Sequence, residues 1–146
     1  MKISIVNKQK DISIKCIKKA MHYLVPAVIM KEAKVQGWDH DTWDEVSFHF
    51  VTKKEIASLH DTFFNDPTST DCITFPVDSY KAPRPRVLGE VFICPKVAIE
   101  YAQEHQTDPQ QETLLYIVHG LLHLLGYDDI QPRDRKIMRQ KEHIYM

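Results

Sequence analysis

Hydrophobic positions change period repeatedly along this chain, and the changes outline its elements. Lys2 to Val6 alternates as a short strand, and the Met1-Lys-Ile-Ser-Ile-Val start reads as a strand rather than a signal peptide. From Asp11 to about Lys34 the spacing is helical (Ile14, Ile17, Ala20, Met21, Leu24), with Pro26 expected to kink or split the helix. Gly37 to Asp44 is polar and turn-like. Glu45 to Val51 alternates again, Val46, Phe48 and Phe50 against Ser47 and His49, as a second strand. Thr52-Lys-Lys-Glu55 is a capping box and opens a helix to about Phe64. Asn65 to Asp71 is a loop dense in turn residues. Cys72 to Val77 and Val87 to Ile93 read as strands joined by a Pro/Arg/Lys loop. Pro95 suits the first turn of a helix ending at His105. Asp108-Pro109 then starts a long apolar helix, and an amphipathic helix from Pro132 to His143 follows. Four short strands and several helices without strict alternation predict one α+β domain over residues 1–146, a mixed sheet packed with helices.

The apolar helix carries the chemistry. It reads His119-Gly-Leu-Leu-His123-Leu-Leu-Gly126-Tyr-Asp128-Asp129. Residues four apart share a helix face, so the two imidazoles stack above one another. Gly126 ends the helix, since glycine adopts φ > 0 without strain, and the chain can return Asp128 or Asp129 to the same point. Two nitrogens and one carboxylate, with a fourth position open, is the ligand set of a catalytic zinc rather than a structural one. The surrounding Leu114, Leu115, Ile117, Val118, Leu121 and Leu122 make this a buried helix. Imidazoles there need something to occupy their lone pairs. A metal would polarise a scissile phosphoryl or carbonyl oxygen. A zinc peptidase with this spacing carries a glutamate after its first histidine, and here that position is Gly120.

Composition narrows the field. A chain of 146 residues can bury a core without staples. No apolar run reaches membrane-spanning length, so no membrane partner is expected. Cys16, Cys72 and Cys94 are scattered and odd in number, which fits reduced, mostly buried thiols in a cytoplasmic protein. A net charge of −1 excludes a bulk polycationic nucleic-acid binder, so RNA contact must come from a local patch. The remaining histidines have structural readings. His49 belongs to a strand, His22, His40, His60 and His143 to helix surfaces or loops, and His105 to a helix C-terminus, where a cation suits the dipole. Trp38, Trp43, Phe63 and Phe64 are read mostly as core or staple residues, with base stacking as the other use.

Three ordered blocks resemble the YbeY family, bacterial metallo-endoribonucleases of ribosomal RNA maturation. They are His119 to Asp129, Ser69-Thr-Asp-Cys-Ile-Thr-Phe-Pro76, and Leu88-Gly-Glu-Val-Phe-Ile93, within a likeness spanning roughly residues 45 to 145. The resemblance implies one zinc ion on His119, His123 and Asp129. It implies cleavage of single-stranded RNA, with ribosomal RNA and the small ribosomal subunit as partners, no DNA, and roles in 16S rRNA 3′-end maturation and ribosome quality control. Asp71 and Glu90 are the acidic residues of the other two blocks and the candidate catalytic acid and base. The chain departs from the family twice. Asp129 stands where a third histidine is usual, and Phe64 where an arginine is proposed to hold phosphate; Arg84 or Arg86 is the candidate replacement. An aspartate still coordinates zinc, but its charge should make the metal a weaker Lewis acid. Two other readings stand beside this one: a small zinc metallohydrolase of peptides or esters, and a ribosome-associated module with a vestigial metal site.

Overall fold

The computed structural model describes residues 1–39 and 41–146; the reading made of His40 lies outside the described residues. In chain order the elements are β1 (Lys2–Asn7), α1 (Lys15–Gln36), β2 (Glu45–Phe50), α2 (Lys53–Phe64), β3 (Cys72–Pro76) and β4 (Val87–Ile93). The helices α3 (Pro95–His105), α4 (Pro109–Leu124) and α5 (Pro132–Tyr145) complete the chain. The strands form one mixed sheet in the order β1-β2-β4-β3. β1 and β4 run parallel to β2, and β3 runs antiparallel to β4. The predicted α+β domain with four short strands is the observed one, with boundaries within a few residues of the pattern.

Local chemistry explains most of those boundaries. The Thr52 hydroxyl accepts from the Glu55 N–H at 3.2 Å and starts α2, while the Glu55 carboxylate lies 4.0 Å from Lys8 Nζ. The Asp108 carboxylate accepts from Gln110 N–H at 2.9 Å and starts α4 beside Pro109. Two expectations change. α1 begins at Lys15, because Gln9 folds the preceding segment into a loop, its side chain bonded to Asn7, Ile12 N–H and Ile12 C=O. Helix α1 also runs unbroken through Pro26. Residue His22, whose carbonyl loses its donor there, is exposed and can be hydrated, while buried Val25, Val28 and Ile29 hold the turn in place. The cysteines differ from expectation in one case: Cys94 is buried and Cys72 half-buried, but Cys16 is exposed.

Helix α4 is the central element, packed against β3, β4, α1, α3 and α5. Ile117, Val118, Leu121 and Leu122 are fully buried there, each contributing about 1.5–3 kcal/mol relative to exposure. The approach to the sheet is set by Gly120. A Cβ at that position would lie 2.6 Å from Val91 Cγ1 and 3.3 Å from Thr74 Cγ2. A glutamate after the first histidine, as in a zinc peptidase, therefore has no room here.

A second anchor ties α1 to α5. Glu32 is fully buried, on the same face of α1 as Met21, Val25, Val28 and Ile29. Its carboxylate accepts from Tyr127 Oη at 2.5 Å, Tyr145 Oη at 2.6 Å and Lys141 Nζ at 3.0 Å. Burial alone would raise its pKa, but these three donors hold it below the ordinary carboxylate value.

Two stability measurements follow. Gly120→Ala should lower the free energy of unfolding by about 1–3 kcal/mol through overpacking against Val91; a urea midpoint equal to wild type would refute that contact. Glu32→Ala should cost about 3 kcal/mol, because it leaves a half-buried ammonium without its carboxylate. With its folded pKa depressed, Glu32 contributes its charge-linked stability in full above the ordinary glutamate value, and that stability is lost as pH falls through the folded one. Glu32→Gln should accordingly flatten the acid side of the stability profile, and an unaltered acid limb would count against this role.

Candidate metal centre

His119 and His123 project from the last turns of α4, one turn apart, with ring centroids 4.6 Å from each other. The helix then stops in a Schellman turn. Gly126 takes φ 107°, its N–H bonds His123 C=O at 3.1 Å, and Tyr127 N–H reaches back to Leu122 C=O at 3.0 Å. This reversal returns Asp129 to the histidines. Its Oδ2 lies 3.3 Å from His119 Nε2 and 3.5 Å from His123 Nε2, and the two Nε2 atoms are 3.0 Å apart. Asp128 turns aside and accepts from the Asp129 N–H. His119, His123 and Asp129 are the one group of three such ligands among the described residues that could hold an ion.

The other ring nitrogens fix the protonation pattern. His119 Nδ1 lies 2.6 Å from Glu142 Oε1, and His123 Nδ1 lies 2.9 Å from the Tyr127 carbonyl. A carbonyl only accepts, and so does an ionised carboxylate, so each Nδ1 donates, and in the neutral imidazole each Nε2 then presents its lone pair. Two lone pairs and a carboxylate oxygen then face one another across 3.0 to 3.5 Å. That arrangement is repulsive unless a cation or proton sits between them. Tetrahedral coordination at zinc-like bond lengths separates ligand atoms by about 3.3 Å, so the donor set fits such an ion. Without an ion, burial lowers the His119 pKa, yet the Glu142 hydrogen bond and charge, with Asp71 and Asp129, leave it above the ordinary value.

Both supports trace to the Glu32 anchor. Tyr127, whose carbonyl orients His123, donates its hydroxyl to Glu32, and Lys141, next to Glu142 on α5, bonds the same carboxylate. Gln36 Nε2 donates to Leu125 C=O at 3.0 Å and fastens the turn from the same helix.

Two clefts meet at the centre. One has a volume of about 370 Å³ and is bordered by α4 and α5, with Glu112, Arg135, Arg139 and Glu142 among its walls. The other, about 320 Å³, is bordered by α2 and β3, with His60, Phe64 and Thr74. Asp71, His119 and Asp129 line both. The Asp71 Oδ1 accepts from Cys72 N–H at 2.7 Å and Thr70 Oγ1 at 3.2 Å, leaving Oδ2 without a partner among the described residues. Glu90 is not brought to the clefts. It lies on β4 and meets His49 Nε2 at 3.1 Å.

Several site residues carry little signal in the sequence. Glu142 follows buried Met138 by four on α5, so a carboxylate on the buried face was the available clue. Glu112, in the first turn of α4, has its carboxyl pushed above the ordinary range by burial and by the Asp71 and Glu142 charges. Phe63 and Phe64 are exposed rather than core residues. The Phe64 ring stands beside His60, whose Nδ1 lies 2.8 Å from the Thr68 carbonyl. Neither candidate replacement for a phosphate-binding arginine is near. Arg84 is held by Asp44 and Asp41, and Arg86 by the Ala82 and Thr42 carbonyls.

Comparison with known proteins agrees with this geometry. The family model described as Endoribonuclease YbeY matches residues 4–146, so the likeness extends well before residue 45. The Endoribonuclease YbeY of Protochlamydia amoebophila is 44% identical over 140 residues, covering 96% of this chain and 87% of that protein. Its namesake in Chlamydia felis is 40% identical over 146 residues, covering 97% and 87%. The solution structure of TM1509 from Thermotoga maritima superposes with a TM-score of 0.61 at 28% identity, covering 99% of this chain and 86% of that one. With its two histidines, its returning aspartate and this match over nearly its whole length, the chain belongs to the endoribonuclease YbeY family.

Proposed function

We propose that this chain is a zinc-dependent endoribonuclease that cuts single-stranded RNA during ribosomal RNA maturation, including the 16S rRNA 3′ end, and in ribosome quality control. The observation that carries the metal dependence is the convergence of two imidazole Nε2 atoms and one carboxylate oxygen across 3.0 to 3.5 Å. The relatives' name, Endoribonuclease YbeY, supports RNA as the substrate. The cytoplasm, with the small ribosomal subunit as partner, is the compartment that goes with that reading. No helix is long and apolar enough to cross a membrane among the described residues.

His119, His123 and Asp129 would hold the ion, which supplies a Lewis acid for phosphodiester hydrolysis. The work of the chain's own groups is positioning. Glu142 and the Tyr127 carbonyl hold the imidazoles with Nε2 inward. Asp71 is the proposed proton carrier, because its Oδ2 is unengaged and the residue lines both clefts. Glu112, in the same cleft, is a second carboxyl, and burial with the Asp71 and Glu142 charges makes it hold its proton more readily than an ordinary glutamate. Glu90, paired with His49, keeps at most a distant role in this reading. The blocked space at Gly120 counts against the peptidase alternative.

Elemental analysis of purified protein, alongside cleavage of a structured RNA with single-stranded ends, tests the whole reading. Wild type should carry about one zinc per chain and cut the RNA, and His119→Ala and Asp129→Ala should lose both. Bound metal without RNA cleavage, or cleavage by metal-free protein, would overturn it. Glu142→Ala should weaken zinc affinity by about 10–100-fold while leaving the fold intact. Competition with a chromogenic chelator reads this directly, and unchanged affinity would remove Glu142 from the metal's support.

A further inference from the structure

We infer that Arg135 and Arg139 form the site that grips the RNA backbone, binding phosphates of the strand on the α5 side of the metal centre. This rests on the reading of the centre as RNA-cleaving and adds where the strand lies. The chain has a net charge of −1, so attraction for a polyanion must be local. Next to the centre the choice is narrow. The α2–β3 cleft is lined by no lysine or arginine. The α4–α5 cleft is lined by two, Arg135 and Arg139, together with His119 and Asp129.

These two arginines sit four residues apart on the exposed face of α5, one turn above the other. Neither guanidinium is held by an ion pair or a side-chain hydrogen bond among the described residues. By contrast, Arg84, Arg86, Lys53 and Lys141 all have protein partners. An unengaged guanidinium can offer two parallel N–H donors to one phosphate, and stacked arginines suit successive phosphates of an extended strand. The opposite cleft offers an aromatic surface instead, with Phe64 57% exposed. A strand crossing the centre would thus have its charge held on one side and a base face available on the other.

The test is RNA binding and single-turnover cleavage by full-length, zinc-loaded protein, using a fluorescein-labelled single-stranded oligoribonucleotide over a series of salt concentrations. Arg135→Ala/Arg139→Ala should raise the half-saturating protein concentration about tenfold or more. It should also flatten the plot of log affinity against log salt by about 1.4, two phosphate contacts at about 0.7 each. The maximal cleavage rate should stay near wild type. Arg135→Lys/Arg139→Lys should keep the salt slope and lose part of the affinity. Arg133→Ala, on the same helix but lining neither cleft, should leave both near wild type. Zinc content and circular dichroism equal to wild type show that the variants are folded and loaded.

Unchanged affinity and slope in the double alanine variant would overturn the inference, as would a fall in maximal rate with affinity intact. An Arg133→Ala effect as large as the double variant's would also overturn it. If wild type leaves the RNA whole, the nuclease reading fails on its own. Anisotropy of the same oligomer then still decides whether these arginines bind it.

Discussion

Two hydrogen bonds, from His119 Nδ1 to Glu142 and from His123 Nδ1 to the Tyr127 carbonyl, set the direction of everything else at the centre. Each consumes the proton of a neutral imidazole and leaves its Nε2 as an acceptor. With Asp129 Oδ2 closing the triangle, the protein holds three acceptors together and no donor between them. A cation or proton between them relieves that repulsion, and the surrounding structure holds the rings in place for it. Glu142 belongs to α5 and Tyr127 to the turn after α4; Glu32 on α1 fastens the helix through Lys141 and the turn through the Tyr127 hydroxyl. The buried carboxylate thus transmits the packing of three helices to the orientation of two rings.

That chain of support explains why α4 sits where it does. The histidines are useful only if their helix lies close to β3, where Asp71 immediately precedes the strand and Thr74 faces the helix. Gly120 permits that approach, and its lack of a side chain excludes the glutamate that a peptidase would need at the same position. The same residue therefore fixes a distance and removes a chemistry. Gly126 has a comparable double effect, ending the helix and aiming Asp129 back at it.

Features written locally were legible in the sequence. His119 and His123 share a helix face by spacing, the glycine break is three residues on, and the caps at Thr52 and Asp108 follow from single side chains. The strand pattern also survived, because one-faced burial enforces alternation. Long-range partners were not legible. Glu142 is 23 residues from His119, and Glu32 is 95 from Tyr127. Glu32 shows in the sequence only as a carboxylate on an otherwise apolar face of α1, and Glu142 only as one four residues after an apolar Met138, which suggests a partner but not which one. Phe64 misled for the converse reason, since an aromatic residue at a helix end reads as core until its surroundings are known. Pro26 misled because His22 is exposed, so its carbonyl can take water in place of the lost donor, which spacing does not reveal.

The charge around the centre makes ion and RNA mutually dependent on the proposed reading. Asp71, Glu112, Asp129 and Glu142 all border the α4–α5 cleft, against Arg135 and Arg139. The cleft is therefore acidic in excess by two charges when all are ionised, and that crowding adds to burial in raising the Glu112 pKa. A phosphodiester strand approaching it meets repulsion close to the histidines and attraction only at the arginines. A divalent ion at the histidines brings the local balance to neutral and turns the same cleft from barrier to seat. Asp129 matters here as an anionic ligand, because it tightens the hold on the cation while reducing the positive charge left for phosphate. The arginines on α5 stand where that shortfall is felt. Each ligand then strengthens the binding of the other by the same factor, since coupling between two sites on one protein is reciprocal.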